Sequence, residues 1–199
     1  IARLSWDDEV IALLVPPRQR FGPAQVTPPP GAFLQATEMA QKQLQDAVLT
    51  LTKGAGAVLD LFAGCGTFAL PLAARARVHA VEGDRAMTQA LEAGWRNCPG
   101  LRPLTAQTRD LFRNPLLPDE LSRFDAVVID PPRAGASAQV AQIAKSDVPR
   151  VAYVSCHPAT FARDAAGLIS AGFTMGAVQP IDQFRWSPHI ELVAAFTRA

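Results

Sequence analysis

The chain has 199 residues, 49% of them hydrophobic and 19% charged, and a net charge of +1. That balance suits one globular domain with a substantial core, and it excludes both an intrinsically disordered chain and one basic enough for charge alone to announce a nucleic-acid binder. The three cysteines, Cys65, Cys98 and Cys156, show no C-x-x-C spacing, so neither a zinc cluster nor a disulfide framework is expected and a reducing, cytoplasmic compartment fits best.

In chain order, residues 1–15 predict a short strand-like element ending in the apolar run Val10 to Val15, and the opening on Ile1 suggests a fragment or a processed product. The prolines from Pro16 to Pro30 exclude helix and predict an extended linker. Residues 1–30 are therefore expected to stand apart, as the remnant of an upstream region, from a domain over 31–199. Leu44, Ala47, Val48 and Leu51 recur at i, i+3, i+4 and i+7, which predicts a helix from Phe33 to about Thr52, ended by Gly54 and Gly56. From Ala57 onward strands and helices alternate. The runs are VLDLFA, a helix over 68–75, VHAVEGD, a helix over 85–97, a weak strand in LRPLTAQ, then FDAVVID, a helix over 138–145, RVAYVSC, a helix over 161–171, and finally FTMGAVQPI and IELVAAFTR. Alternation of this kind implies a parallel sheet wrapped by helices. The last two strands are separated only by the loop Asp182 to His189 and are expected to pair antiparallel. Asp60, Asp125 and Asp130 break the apolar stretches well before the ~20 residues of a membrane span.

Three strand ends carry chemistry. Gly64-Cys65-Gly66-Thr67-Phe68-Ala69 is a G-x-G-x-x-A turn between a strand and a helix, and Glu82 ends the next strand, where an acid accepts hydrogen bonds from ribose hydroxyls. By spacing alone this turn accommodates either NAD or S-adenosylmethionine. Asp130-Pro131-Pro132-Arg133 ends the strand in DAVVIDPPRAGA. Cys156, in VAYVSCHPATF, stands at the carboxyl end of a further strand, where open α/β sheets bind ligands.

Together these runs resemble the RNA uracil-C5 methyltransferases, over roughly residues 31 to 197 and most specifically in SC-x-P and DPPRAGA. The resemblance implies an α/β, Rossmann-like class I methyltransferase fold, with a mostly parallel seven-stranded sheet, helices on both faces and an antiparallel last strand. It also implies S-adenosylmethionine as cofactor, with contacts from Gln35, Phe62, Gly64, Glu82, Asp110 and Asp130. Gln35 lies outside the nucleotide-fold core and has no reason to recur in a dehydrogenase, and Asp60 stands four residues before Gly64, where methyltransferase first motifs place an acid. Asp110, before a short apolar run, also reads as a cap or turn residue.

The implied reaction transfers a methyl group to carbon 5 of a uridine in ribosomal or transfer RNA. It needs a low-pKa cysteine to add to carbon 6 and a general base to remove the carbon 5 proton. The resemblance assigns these roles to Cys156 and to Glu191, in PHIELVAAF. Arg133 would hold a phosphate or the enolate oxygen, and Phe184, Trp186 and His157 are candidates for packing against a flipped base. A monomer without membrane or metal is expected, with RNA as its partner. Two departures from the family pattern bear on loop geometry and substrate choice: His157 replaces the usual Asn, and Trp186-Ser187-Pro188-His189 replaces the usual Thr-x-His. The alternatives are a methyltransferase acting on another nucleic-acid position, such as an exocyclic amine, which needs no cysteine, and a non-catalytic RNA-binding homologue, against which the presence of both Cys156 and Glu191 argues.

Overall fold

The computed structural model describes residues 1–7, 9–184 and 186–198. Four short strands, β1 (Arg3–Trp6), β2 (Glu9–Leu13), β3 (Gln19–Phe21) and β4 (Ala24–Val26), precede helix α1 (Glu38–Leu51). Then follow β5 (Ala57–Leu61), α2 (Ala69–Ala73), β6 (Arg77–Glu82), α3 (Arg85–Arg96), β7 (Leu104–Thr108), α4 (Pro118–Leu121) and β8 (Ala126–Ile129). The remaining elements are α5 (Ser137–Ile143), β9 (Arg150–Ser155), α6 (Pro158–Ser170), β10 (Thr174–Met175), β11 (Gln179–Ile181) and β12 (Glu191–Thr197).

The main sheet runs β7-β6-β5-β8-β9-β12, with β10 and β11 both on the outer edge of β12. Strands β5 to β9 pair in parallel, whereas β12 is antiparallel to β9 and to both edge strands. Because β10 and β11 occupy one strand position, broken at Gly176 to Val178, the order among the described residues is that of the expected seven-position sheet with its antiparallel last strand. Every residue of β5, β8 and all but the first of β9 is buried, as it must be in a sheet covered on both faces. Alternation along β5 sends Val58 to a core shared with α1, α2 and α3, and Leu59 and Leu61 to a second core shared with α5 and α6.

Differences from expectation lie mainly near the amino end. Helix α1 starts at Glu38, not Phe33, because the Thr37 side chain accepts a hydrogen bond from the Ala40 N–H at 3.1 Å and caps it there. The proline-rich segment is no extended linker throughout: β3 and β4 form a hairpin whose Phe21, Ala24 and Val26 belong to the first core. Gln41 of α1 donates to the Arg20 carbonyl at 2.9 Å and so holds this hairpin. Gly94 of α3 lies beneath it, where a Cβ would come within 2.6 Å of Val26 Cγ2. The first fifteen residues contain not one strand-like element but an antiparallel hairpin, β1 with β2, and its apolar Trp6, Ile11 and Leu13 are exposed. Helix α4 was not anticipated; four residues are too short to show a period.

Candidate active site

The chain order reverses direction across the sheet at β5, whose neighbours are β6 on one side and β8 on the other. A crevice opens at the carboxyl ends of the strands beside such a switch point. A cavity of about 890 Å³ occupies it, a size suited to a nucleoside-bearing ligand, and its lining includes all eight residues proposed as cofactor contacts or reacting groups: Gln35, Phe62, Gly64, Glu82, Asp110, Asp130, Cys156 and Glu191. Seven of them lie in loops or at the carboxyl ends of strands. Glu191 arrives differently. Because β12 runs antiparallel, its first residue stands at the edge where its neighbours end, and the pairing of Leu192 with Ser155 sets Glu191 beside Cys156.

On one wall of the cavity the Glu82 carboxylate accepts hydrogen bonds from the Gly64 N–H at 2.9 Å and the Asp84 N–H at 3.0 Å, one on each oxygen. It thereby ties the end of β6 to the glycine turn while keeping further lone pairs for a ligand. Gly64 has φ +54, and a Cβ there would meet nothing within 4 Å, so the glycine is required by backbone conformation and leaves open space above it. Phe62 also has positive φ, at 60°, an uncommon and costly geometry that tends to persist at functional sites. Its ring lies 5.4 Å from that of Phe112, tilted by 55°, and the two make an apolar wall. Asp110 lines the cavity and also caps a turn, since its Oδ1 accepts from the Phe112 and Arg113 N–H groups at 2.9 and 3.2 Å. Both readings of that residue therefore have a structural counterpart. Asp60 points from β5 into the first core, and neither of its carboxyl oxygens has a hydrogen-bond partner among the described residues. Burial, then Asp130, push its carboxyl well above the usual range, and the Ala69 N–H opposes them.

On the opposite wall the electrostatics are those of crowded carboxyls. Burial, with the Glu191 carboxyl as the second cause, pushes Asp130 up to about 8. Part of Asp130 still opens on the cavity, and that shift is greatest when the cavity is closed to water. Glu191 is 2% exposed; burial raises it, and a hydrogen bond from Gln183 pulls it back. Cys156 departs from the low-pKa thiol expected of the reaction. Burial raises it, Glu191 and Asp130 raise it further, and Arg133 opposes them. The sign is that of a thiolate disfavoured by nearby negative charge. Alkylation of Cys156 by iodoacetamide, followed by peptide mass spectrometry, should therefore show a pH midpoint above that of a free thiol. Asp130→Asn removes one negative neighbour and should lower that midpoint; a midpoint that stays put or rises would contradict this electrostatic account.

Three residues expected against a flipped base do not line the cavity. His157 is the N-cap of α6, and its Nδ1 accepts from the Thr160 N–H at 3.4 Å. Asn, the usual residue there, is itself a preferred cap, so the substitution preserves a helix start. Phe184 packs edge-on against His189 with ring centroids 6.1 Å apart. Trp186 is wholly exposed. Conversely, Phe112 and Gln183 were not singled out from the sequence. Phe112 stands beside Asp110 in an irregular segment where no period marks it, and Gln183 is a lone amide in a loop.

A family model described as tRNA (Uracil-5-)-methyltransferase matches residues 105–198, and one described as Conserved hypothetical protein 95 matches residues 38–149. An uncharacterized RNA methyltransferase of Mesorhizobium japonicum is 56% identical over 193 residues, covering 97% of this chain and 47% of its own length. The 23S rRNA (uracil(1939)-C(5))-methyltransferase RlmD of Halomonas elongata is 40% identical over 173 residues, covering 81% of this chain and 35% of its own. Among solved structures, the Pyrococcus abyssi tRNA (uracil-54, C5)-methyltransferase in complex with S-adenosyl-L-homocysteine superposes with a TM-score of 0.78 at 26% identity, covering 91% of this chain and 44% of that one. Magnesium protoporphyrin IX methyltransferase of Synechocystis, with a TM-score of 0.63 and 16% identity, shares the fold. The chain spans about half the length of the curated relatives it matches.

Proposed function

From membership of the uracil-5 RNA methyltransferase family, to which this chain belongs, we propose that it transfers a methyl group from S-adenosylmethionine to carbon 5 of a uridine in ribosomal or transfer RNA through a covalent adduct with Cys156. The observation that carries this reading is the meeting of Cys156 and Glu191 in one cavity with Gln35, Glu82 and Asp130.

The residues present fit the cofactor. Glu82 offers lone pairs to a ribose beside an open glycine turn, Phe62 and Phe112 offer an apolar wall, and Gln35 and Asp130 offer polar contacts at the same cavity. When bound, S-adenosylmethionine supplies an electrophilic methyl group on a sulfonium. What remains is the work of the chain. The Cys156 sulfur, once deprotonated, adds to carbon 6 of the uracil, which makes carbon 5 nucleophilic, and carbon 5 would then bond the methyl group as its bond to the sulfonium sulfur breaks. Glu191 then takes the carbon 5 proton, the sulfur–carbon 6 bond breaks, and the ring double bond and the free cysteine are restored. Because its surroundings hold the Cys156 thiol up, addition is favoured when Asp130 and Glu191 are protonated and Arg133 remains as a charge that favours the thiolate. Glu191 must subsequently lose its proton to act as base, so the two steps ask for opposite protonation states of that one carboxyl.

Incubation with total RNA from cells lacking the protein, in the presence of labelled methyl donor, should produce 5-methyluridine at a defined position. Label appearing only on exocyclic amines would overturn the reading. For the cofactor wall, Glu82→Ala should weaken S-adenosylmethionine binding by about 1 to 3 kcal/mol through lost charged hydrogen bonds, measured by calorimetry. Unchanged affinity would remove Glu82 from the site.

A further inference from the structure

Gln183 lies in the loop between β11 and β12, is 7% exposed, and belongs to none of the roles assigned above. Three hydrogen bonds fix its side chain. The Ala36 N–H donates to Gln183 Oε1 at 3.0 Å, while Gln183 Nε2 donates to Gln35 Oε1 at 2.7 Å and to Glu191 Oε1 at 3.0 Å. A backbone N–H can only donate, so the atom facing Ala36 must be the carbonyl oxygen, and the amide has one orientation. Both Nε2 protons are then committed, one to each side of the site. Gln35 has to turn its oxygen toward Gln183, which leaves its own NH₂ group as the donor available to the cavity. Glu191, whose burial disfavours its charge, receives a donor that favours the carboxylate.

We propose that Gln183 is a positioning residue that presents the donor face of Gln35 to the cofactor and holds the Glu191 carboxylate for proton removal, so that one amide aligns both halves of the site. The proposal rests on the reading of Gln35 as a cofactor contact and Glu191 as the base. An apolar side chain of similar shape at this position would leave Gln35 free to turn over and Glu191 without a donor. The other titratable or charged groups facing Glu191 are Asp130 at the end of β8 and Cys156 at the end of β9, with Arg133 beyond them; none of these donates to it among the described residues.

The test uses Gln183→Met, Gln35→Ala and the double variant, with S-adenosylhomocysteine as the calorimetric probe. Gln183→Met should raise the dissociation constant about five- to tenfold, the worth of one or two lost hydrogen bonds. If Gln183 acts through Gln35, the same substitution should cost less than about twofold in the Gln35→Ala background. A second readout is tritium release from RNA carrying 5-tritiated uridine. Loss of the donor raises the Glu191 pKa, so the acid limb of the release profile should move to higher pH in Gln183→Met. It should move further in Gln183→Glu, which still accepts from the Ala36 N–H and sets a second carboxyl beside Glu191. Equal loss of binding in both backgrounds, or an acid limb unmoved in both Gln183 variants, overturns the proposal. Wild-type protein that binds no S-adenosylhomocysteine overturns the cofactor reading itself, and the proposal with it.

Discussion

Glu191→Gln should accumulate a covalent protein–RNA adduct containing the transferred methyl group, whereas Cys156→Ala should form no adduct. The amide in Glu191→Gln cannot take the carbon 5 proton, and Cys156 cannot replace it, because in the adduct its sulfur is itself bonded to carbon 6. Addition and methylation need no base at that atom, so they proceed and elimination stalls. Turnover should fall by about 10²- to 10⁴-fold, the usual worth of a positioned general base, while a band resistant to denaturing electrophoresis appears with stoichiometric label. RNA containing 5-fluorouridine at the target gives the same adduct with the wild-type protein, since fluorine at carbon 5 cannot be removed as a proton. Wild-type protein that methylates uridine while neither trap yields an adduct dependent on Cys156 would show the nucleophilic assignment to be wrong.

Asp164→Ala should cost about 2 to 6 kcal/mol of stability, the sum for two buried donors left without their shared acceptor. Asp164 is 2% exposed. Its Oδ2 accepts from the Tyr153 hydroxyl at 2.6 Å and the Ala136 N–H at 2.7 Å, and its Oδ1 accepts from Arg163 Nε at 2.9 Å. Truncation strands a buried hydroxyl and a buried amide, and each such group costs about 1 to 3 kcal/mol when left unpaired. The effect also reaches the site, because the Ala136 N–H closes the loop that begins with Asp130 and Arg133. Gly135 in that loop has φ +74, and a Cβ there would lie 2.7 Å from Asp164 Oδ2, so the carboxylate and the glycine fit as a pair. Urea denaturation should show a lowered midpoint with unchanged slope. A shift under about 1 kcal/mol would mean that the stranded donors find other partners.

Much of the site can be read along the chain because its parts lie next to strand ends, and strand ends are local features. VLDLFAGCG, VHAVEGD, VIDPPR and YVSCHP each show an apolar run and the residue that follows it, and parallel pairing brings all such ends to one edge. Phe62, Glu82, Asp130 and Cys156 were therefore placed by periodicity together with the family resemblance. Other features depend on partners distant in sequence. Glu191 reaches the cavity only because β12 is inserted antiparallel against β9, which sets Leu192 opposite Ser155. The prolines between Pro16 and Pro30 speak against helix but carry no sign of the hairpin that fits over Gly94 and Gln41, because docking depends on a surface formed by α1 and α3. Apolar residues in β1 and β2 look like core and are exposed, since burial is a property of what covers a strand and not of its composition. The raised thiol of Cys156 and the committed amide of Gln183 belong to the same class. The sequence by itself determined the order of elements from α1 onward, α4 excepted, and the chemical groups at their ends, since both follow from local periodicity and residue type. Only the tertiary structure decided which groups share a wall, which are desolvated and which way an amide points, because charge interaction and hydrogen bonding act through distances that the chain order does not contain.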